Sequence, residues 1–486
     1  MIKLILYSLV VGFLTSIYPP AFKRGDRPEI KAARKKWGKI FLSFTAIAAL
    51  YYWMWLPTLM FGWATLVIIF LLVFFGFCWN LEVGFEPVNQ GIYWGCLCLF
   101  VISSIFPEQM GATKLLGPVK TIEVSASVIP SDISQVPIVP QEHARAVGAK
   151  VVEDALGAEY EVGNYMLQKV NGRLYWVASL DFKSLRSWVF ADPAPGVVIV
   201  DAEDIRVPAR FMEVDGGGKR IKLRYTPGAW FFKNIYRHIH DVGLDHFTAA
   251  SAHVELDDSM KPWWIVTSIN PVVVPIRFGV EGVVVVDPDT GAAREYSLGD
   301  APSWIDSVTP VFVTESNLKT WGEKRIGWAA PFVGARPLIE PLSLNDGQAW
   351  SMYGVDGRRY LYSAMVPRGE PNGTLQSVML VDSRSGKATE CVVGDSNMAS
   401  PATALAVLAS KLETLGDYRS TTPLLCAVEG RLTYIIPIID SSNLVKKVAL
   451  VDSKNKIVAL GDDTNAAFQE LKKLREAVGL KKPSQK

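Results

Sequence analysis

Four histidines, His238, His240, His246 and His253, crowd one stretch of the chain, with Asp241 and Asp245 between them. Imidazole and carboxylate groups at this density are the residue types that hold a transition metal or move protons. Geometry restricts them. In FFKNIYRHIHDV, Phe231, Ile235, Ile239 and Val242 recur at helical spacing. On a helix His238 and His240 diverge by about 200° and cannot share an ion; on a strand they would face the same side and could chelate. The helical period is the better match, so these rings are expected to cap carbonyls or lie on the surface of a helix end. The expectation is therefore no catalytic residue, no cofactor and no metal, with His238, His240, His246 and His253 as the candidate ligands if a metal is held.

Other chemical signatures are missing. The sequence contains no G-x-S-x-G elbow, phosphate loop, H-E-x-x-H or Gly-rich dinucleotide turn. DGGGK (215–219) lies between RFMEV and RIKLRY and is expected to be a hairpin loop. DPDTG (287–291) carries two close carboxylates, but a calcium loop of the EF-hand type needs ligands over about twelve positions ending in Glu. A turn fits better. Cys391 and Cys426 each fall in an expected strand, where a disulfide or two buried thiols are both compatible with the sequence and the thiols are favoured. The absence of C-x-x-C excludes a cysteine zinc site.

The elements that would carry these residues follow a grammar. A polar turn precedes an aromatic strand in NGRLYWVASL, MKPWWIVTSI, DGRRYLYSAM and EGRLTYIIPI, and each is followed by an apolar strand ending in Asp201, Asp287, Asp382 or Asp452. An Asp there can bond its own backbone and close a turn, and Gly291 supplies the left-handed conformation a tight hairpin needs. Hairpin units are expected near 171–201, 260–298, 356–390 and 429–460, alternating with helices such as 400–415, which opens with Ser400 as cap and Pro401 in its first turn. The expected fold of residues 141–486 is an α+β domain of repeated helix plus antiparallel-hairpin units.

The front of the chain differs. The sequence of 486 residues is 49% hydrophobic and 20% charged, and no Asp, Glu, Lys or Arg occurs between Ile40 and Leu81 or from Pro87 to Pro107. A membrane helix needs roughly 20 apolar residues, so residues 1–106 are expected to form a bundle of about four transmembrane helices, near 2–19, 40–56, 60–79 and 90–106. The basic segment 23–39 then marks the cytoplasmic side. Residues 107–140 would be a tether or extended neck, and the C-terminal domain extracytoplasmic. This makes the protein a multi-pass protein of the cell membrane, with the lipid bilayer as one partner. No basic cluster outside 23–39 suggests nucleic acid.

The helix–hairpin unit ending in VVDPDTG resembles PepSY-type repeat domains of bacterial envelope proteins. LRYTPGAWFFKNIYRHIHDVGL (223–244), KPWWIVTSI, GVVVVDPDTGAAREYSLGDAPSWIDSVTP (282–310) and LKTWGEKRIGW (318–328) are similar to a group of uncharacterised multi-pass bacterial and phage-borne membrane proteins. That resemblance implies architecture and location, and a modulating or sensing role outside the membrane. The functional expectation is a membrane-anchored extracytoplasmic binding or regulatory protein without catalytic activity, recognising a peptide, protein or envelope component, with a protein partner or homo-oligomer. The alternative is a structural or assembly subunit of an envelope or phage-related complex. A metal-dependent hydrolase is the distant third.

Overall fold

Short apolar runs punctuated by Asp, Asn and Gly turns leave the chain little choice but antiparallel strands. The computed structural model describes residues 27–55, 119–123, 129–130, 136–191, 193–244, 246–271, 278–325, 338–344, 347–370, 374–393, 398–413 and 416–480. Two compact units separate: one comprises 1–108, 239–248 and 271–276, the other the remainder.

In the first unit, α1 (Pro28–Trp55) is one continuous helix. It runs through the basic segment expected to be a cytoplasmic loop and into the apolar run expected to be a separate span. No helix among the described residues is long and apolar enough to cross a membrane. The four-helix transmembrane bundle and the multi-pass membrane location are therefore not supported. The expected spans 2–19, 60–79 and 90–106 lie outside the described residues.

The second unit is mostly sheet. Its first sheet contains β2 (Tyr160–Val162), β3 (Met166–Val170), β4 (Arg173–Phe182), β5 (Val197–Asp201) and β6 (Arg210–Met212). The second joins β7 (Thr248–Leu256), β8 (Pro262–Pro271), β9 (Phe278–Val286) and β10 (Ala293–Ser297). The third has six strands: β1 (Lys120–Glu123), β11 (Ile339–Pro341), β12 (Trp350–Tyr353), β13 (Arg359–Pro367), β14 (Ser377–Asp382) and β15 (Ala388–Val392), with β1 parallel to β15. The last holds β16 (Arg419–Ser420), β17 (Leu424–Val428), β18 (Arg431–Ile439), β19 (Val445–Asp452) and β20 (Val458–Gly461). Among the described residues the sheets differ in strand number and only the third has a parallel strand, so one fixed PepSY-like unit does not describe them.

Helices cover the sheets: α2 (Gln141–Leu156), α3 (Leu185–Ala191), α4 (Ile235–Asp241), α5 (Val311–Lys324), α6 (Pro401–Leu412) and α7 (Thr464–Ala477). Ser400 caps α6 by accepting from the Thr403 amide at 3.2 Å. The helix then buries Ala404, Leu408 and Leu412 in a core shared by the third and last sheets. Full burial of a side chain such as Leu408 contributes about 1.5–3 kcal/mol. The opposite face of the last sheet is closed by Ala467 and Leu471 of α7. Because β14 and β5 are covered on both faces, every residue of each is buried, which is why they read as unbroken apolar runs. The described part of 107–140 is built into these cores, with Ile129 and Val139 fully buried.

Each of the four strand-ending aspartates closes its turn in the same way. The Oδ1 atoms accept two backbone N–H groups apiece: Glu203 and Asp204 on Asp201, Asp289 and Thr290 on Asp287, Arg384 and Ser385 on Asp382, Lys454 and Asn455 on Asp452. Three are countered by the basic residue at the preceding strand's start, through Arg173–Asp201 at 3.0 Å, Lys261–Asp287 at 2.7 Å and Arg358–Asp382 at 3.6 Å.

Candidate functional site

The dipeptide Arg358-Arg359 shows how strand alternation divides two identical side chains. Successive residues of a strand face opposite sides. The Arg358 side chain is 66% exposed and pairs with Asp382, whereas Arg359 is 4% exposed. Arg359 occupies the register position held by Leu174 and Leu432 in two other sheets. In each case the carbonyl accepts from the residue after the strand-ending aspartate: Ala202 on Leu174, Ser383 on Arg359, Ser453 on Leu432. Leu174 and Leu432 are buried apolar residues. A buried cation in that position carries a desolvation cost that leucine does not.

The guanidinium meets hydroxyls in place of a carboxylate. Nη1 donates to Ser383 Oγ at 3.1 Å and Nη2 to Ser351 Oγ at 2.7 Å. Nε is buried with no partner among the described residues. Arg359 forms part of the wall of a cleft of about 220 Å³. The cleft opens where three strand edges meet: Tyr165–Leu167 of the first sheet, Ala349–Ser351 of the third and Thr421–Leu424 entering the last. Tyr362, whose hydroxyl donates to the Pro423 carbonyl, and Thr421, whose hydroxyl donates to Pro437 O at 2.8 Å, fix the third edge. Trp176 Nε1 donates to Val139 O at 2.7 Å, holding its ring as another wall. The first turns of α2 and α5 contribute Gln141, Glu142 and Val311.

Close to Arg359 lies a buried polar cluster that ties three sheets. Glu255, fully buried in β7, accepts Asp306 N at 2.7 Å and Ser307 N at 2.9 Å. Asp306 Oδ2 accepts Lys169 N from β3 at 2.8 Å and Tyr353 Oη from β12 at 2.7 Å. The Gln168 amide exchanges two hydrogen bonds with the Leu256 backbone, at 2.7 and 2.8 Å. Burial first, and then the neighbouring Glu255 charge, raises the Asp306 carboxyl above the ordinary range, opposed by its hydrogen bonds and by the Arg359 charge. These carboxylates are committed to backbone amides, the Tyr353 hydroxyl and the His253 ring, so the cluster fixes the strands that form the cleft.

The histidines separate. His238 on α4 lies against Tyr225 with ring centroids 4.2 Å apart and planes tilted by 41°, and its Nε2 donates to the Gly291 carbonyl at 2.6 Å, capping the DPDTG turn. His253 is buried, with Nδ1 at 3.1 Å from Ser251 O and Nε2 at 3.0 Å from Glu255 Oε1. His240 follows two places after His238 on α4, on the opposite side of the helix. His246 is exposed, its ring edge-on to Phe247 at 4.9 Å. Among the described residues no group of three or more His, Cys, Asp or Glu is placed to hold a metal. In the DPDTG turn Asp287 is taken by Lys261, and Asp289 pairs with Arg224 at 2.9 Å. DGGGK closes on itself, with Asp215 Oδ1 accepting Gly217 N and Lys219 N. Cys391 and Cys426 are buried free thiols.

Sequence reasoning did not find Arg359, Glu255 or Asp306. The one legible signal was a second arginine where neighbouring hairpins place leucine.

No family model and no curated protein matches this chain. Similar solved structures include a point variant of an ACO/RPE65 chimera in a monoclinic crystal form, at 8% identity and TM-score 0.15, covering 61% of this chain and 48% of that one. Another ACO/RPE65 chimera is similar at 9% identity and TM-score 0.14, with coverages of 60% and 49%. The chain spans about half the length of each. Likeness this slight assigns neither fold nor activity, and these comparisons lend no support to a PepSY-like repeat family.

Proposed function

We propose that the protein is a non-catalytic binding protein that takes a short ligand in the cleft of its second unit. The observation that carries this reading is the convergence of three strand edges on one cleft of about 220 Å³. Strand edges recognise extended ligands through backbone groups, and apolar walls add affinity. The described cleft walls hold no His, Cys or Lys, and the Ser351 hydroxyl accepts from Arg359. That arrangement suits recognition better than nucleophilic chemistry. Hydrogen exchange of the full chain, with and without a pool of short apolar peptides, tests it. Protection is expected at 165–167, 349–351 and 421–424, and is lost in a cleft-blocking Thr422→Trp variant. Unchanged exchange in those segments counts against the reading.

A second reading, an assembly subunit, is favoured by an exposed apolar surface on α3 and the segment before α4. Phe190 is 81% and Phe232 73% exposed, and Trp188 and Phe231 bring the two segments together at 6.1 Å. Patches of this kind mark protein interfaces. Native mass spectrometry of protein isolated from its own cells distinguishes the two: a stoichiometric partner lost with Phe190→Ser/Phe232→Ser supports assembly.

A further inference from the structure

We infer that the ligand of this cleft carries a single carboxylate on an apolar body, and that Arg359 receives the carboxylate. The inference rests on the binding role proposed above and adds the ligand's chemistry. Three independent observations converge on it. The first is the placement of a buried guanidinium where Leu174 and Leu432 stand in matching registers, at a cost that packing alone would avoid. The second is the unsatisfied Nε. Sealed from solvent, it leaves a buried guanidinium whose partners are two neutral hydroxyls, a charge that a carboxylate bound where Arg359 lines the cleft would balance. No carboxylate among the described residues lies within ion-pairing distance of Arg359, so none of them balances its charge.

The third is the surrounding field. The helices α2 and α5 both bring their N-terminal turns to the cleft, and both begin after a proline, Pro140 and Pro310, that supplies no side-chain cap. The positive ends of the two helix dipoles therefore face the same space as the guanidinium. Charge also limits the anion. Glu142 lines the cleft and the Asp306 carboxyl lies near enough to feel the Arg359 charge, which disfavours a dianion such as a phosphate monoester. The remaining walls, including Leu167, Trp176, Trp350 and Leu424, accept an apolar body. Two sources share this chemistry: a medium-chain aliphatic acid, and the free C-terminus of a short apolar peptide.

The test is calorimetric titration of the full chain with octanoate, octanamide, acetyl-Val-Val-Leu and its C-terminal amide. The acids are expected to bind about tenfold or more tightly than their amides, the gain typical of charge-assisted hydrogen bonds. The stronger of the two acids identifies the source. Arg359→Leu places in this strand the residue its counterparts already use, so it is expected to fold, as a thermal melt will show, and to bind acid and amide equally. Arg359→Lys, which keeps the charge and loses the planar guanidinium, is expected to fall between them. Equal binding of acid and amide to the native chain, blocked by Thr422→Trp, overturns the carboxylate inference and leaves the binding role standing. An Arg359→Leu variant that keeps the full preference for acid also overturns it. Binding of neither acid nor amide overturns both.

Discussion

Arg475, on α7, grips Asp452, at the end of β19, with two hydrogen bonds to one carboxylate oxygen, from Nε at 2.9 Å and Nη2 at 2.7 Å. The pair is dry: the side chains are 4% and 1% exposed. In the other three turns the counter-cation comes from the preceding strand and is reachable by water, as with Arg358. The last sheet thus anchors its turn to the helix across its face. Removing one member of a buried pair strands the other, so Arg475→Leu is expected to destabilise the second unit by about 3–5 kcal/mol. Arg358→Ala, at an exposed pair, should cost no more than about 1 kcal/mol. Urea unfolding of the two variants side by side measures the contrast.

The Asp306 carboxyl makes acid stabilising at one site. Burial and the adjacent Glu255 push it up to about 6. A group whose folded value lies above its unfolded value contributes most below the unfolded value and loses that contribution as pH rises through the folded one. The stability of the native chain relative to Asp306→Asn should therefore fall between about pH 4 and pH 7. The slope should approach 1.4 kcal/mol per pH unit in that window. Asparagine keeps an oxygen for Lys169 N and the Tyr353 hydroxyl, so the variant is expected to fold. Denaturant titrations at several pH values give the difference, and a pH-independent difference would falsify the assignment.

The left-handed residue of the Asp turns offers a stabilising change. Gly291, Gly386 and Lys456 donate their amides to Asp287, Asp382 and Asp452 from matching places, at φ of 75°, 68° and 56°. Only the last carries a side chain there. Lys456→Gly should stabilise by about 0.5–1 kcal/mol, the left-handed strain relieved less the backbone entropy of glycine. Gly291→Ala should do the reverse and more, since its Cβ would come within 2.6 Å of the Tyr225 ring and 2.8 Å of His238 Nε2. Melting temperatures of both variants decide the signs.

Cys391 should be chemically silent while the protein is folded. Burial, and next the charge of Glu390, raises its thiol to about 11, and the thiolate is the reactive form. Peptide mapping after iodoacetamide treatment at pH 8 should find Cys391 unmodified in the native chain and modified after denaturation.

What the sequence by itself determined is local. Asp382 followed by Ser, Arg, Ser and Gly can bond only its own next amides, and Ser400-Pro401 can only open a helix, because the interacting groups lie within a few bonds of one another. The apolar front of the chain misled for the complementary reason. Hydropathy records that residues avoid water, and α1 shows that a basic and an apolar segment which read as loop and span can form one helix. The cleft was decided only by tertiary structure. Its walls come from segments hundreds of positions apart, from Gln141 to Thr421. The Asp306 keystone joins Lys169, Glu255 and Tyr353 from three sheets. Whether Arg359 faces water or the interior depends on which sheet packs against its strand. Its neighbour Arg358, identical in type, shows that residue identity alone does not settle it.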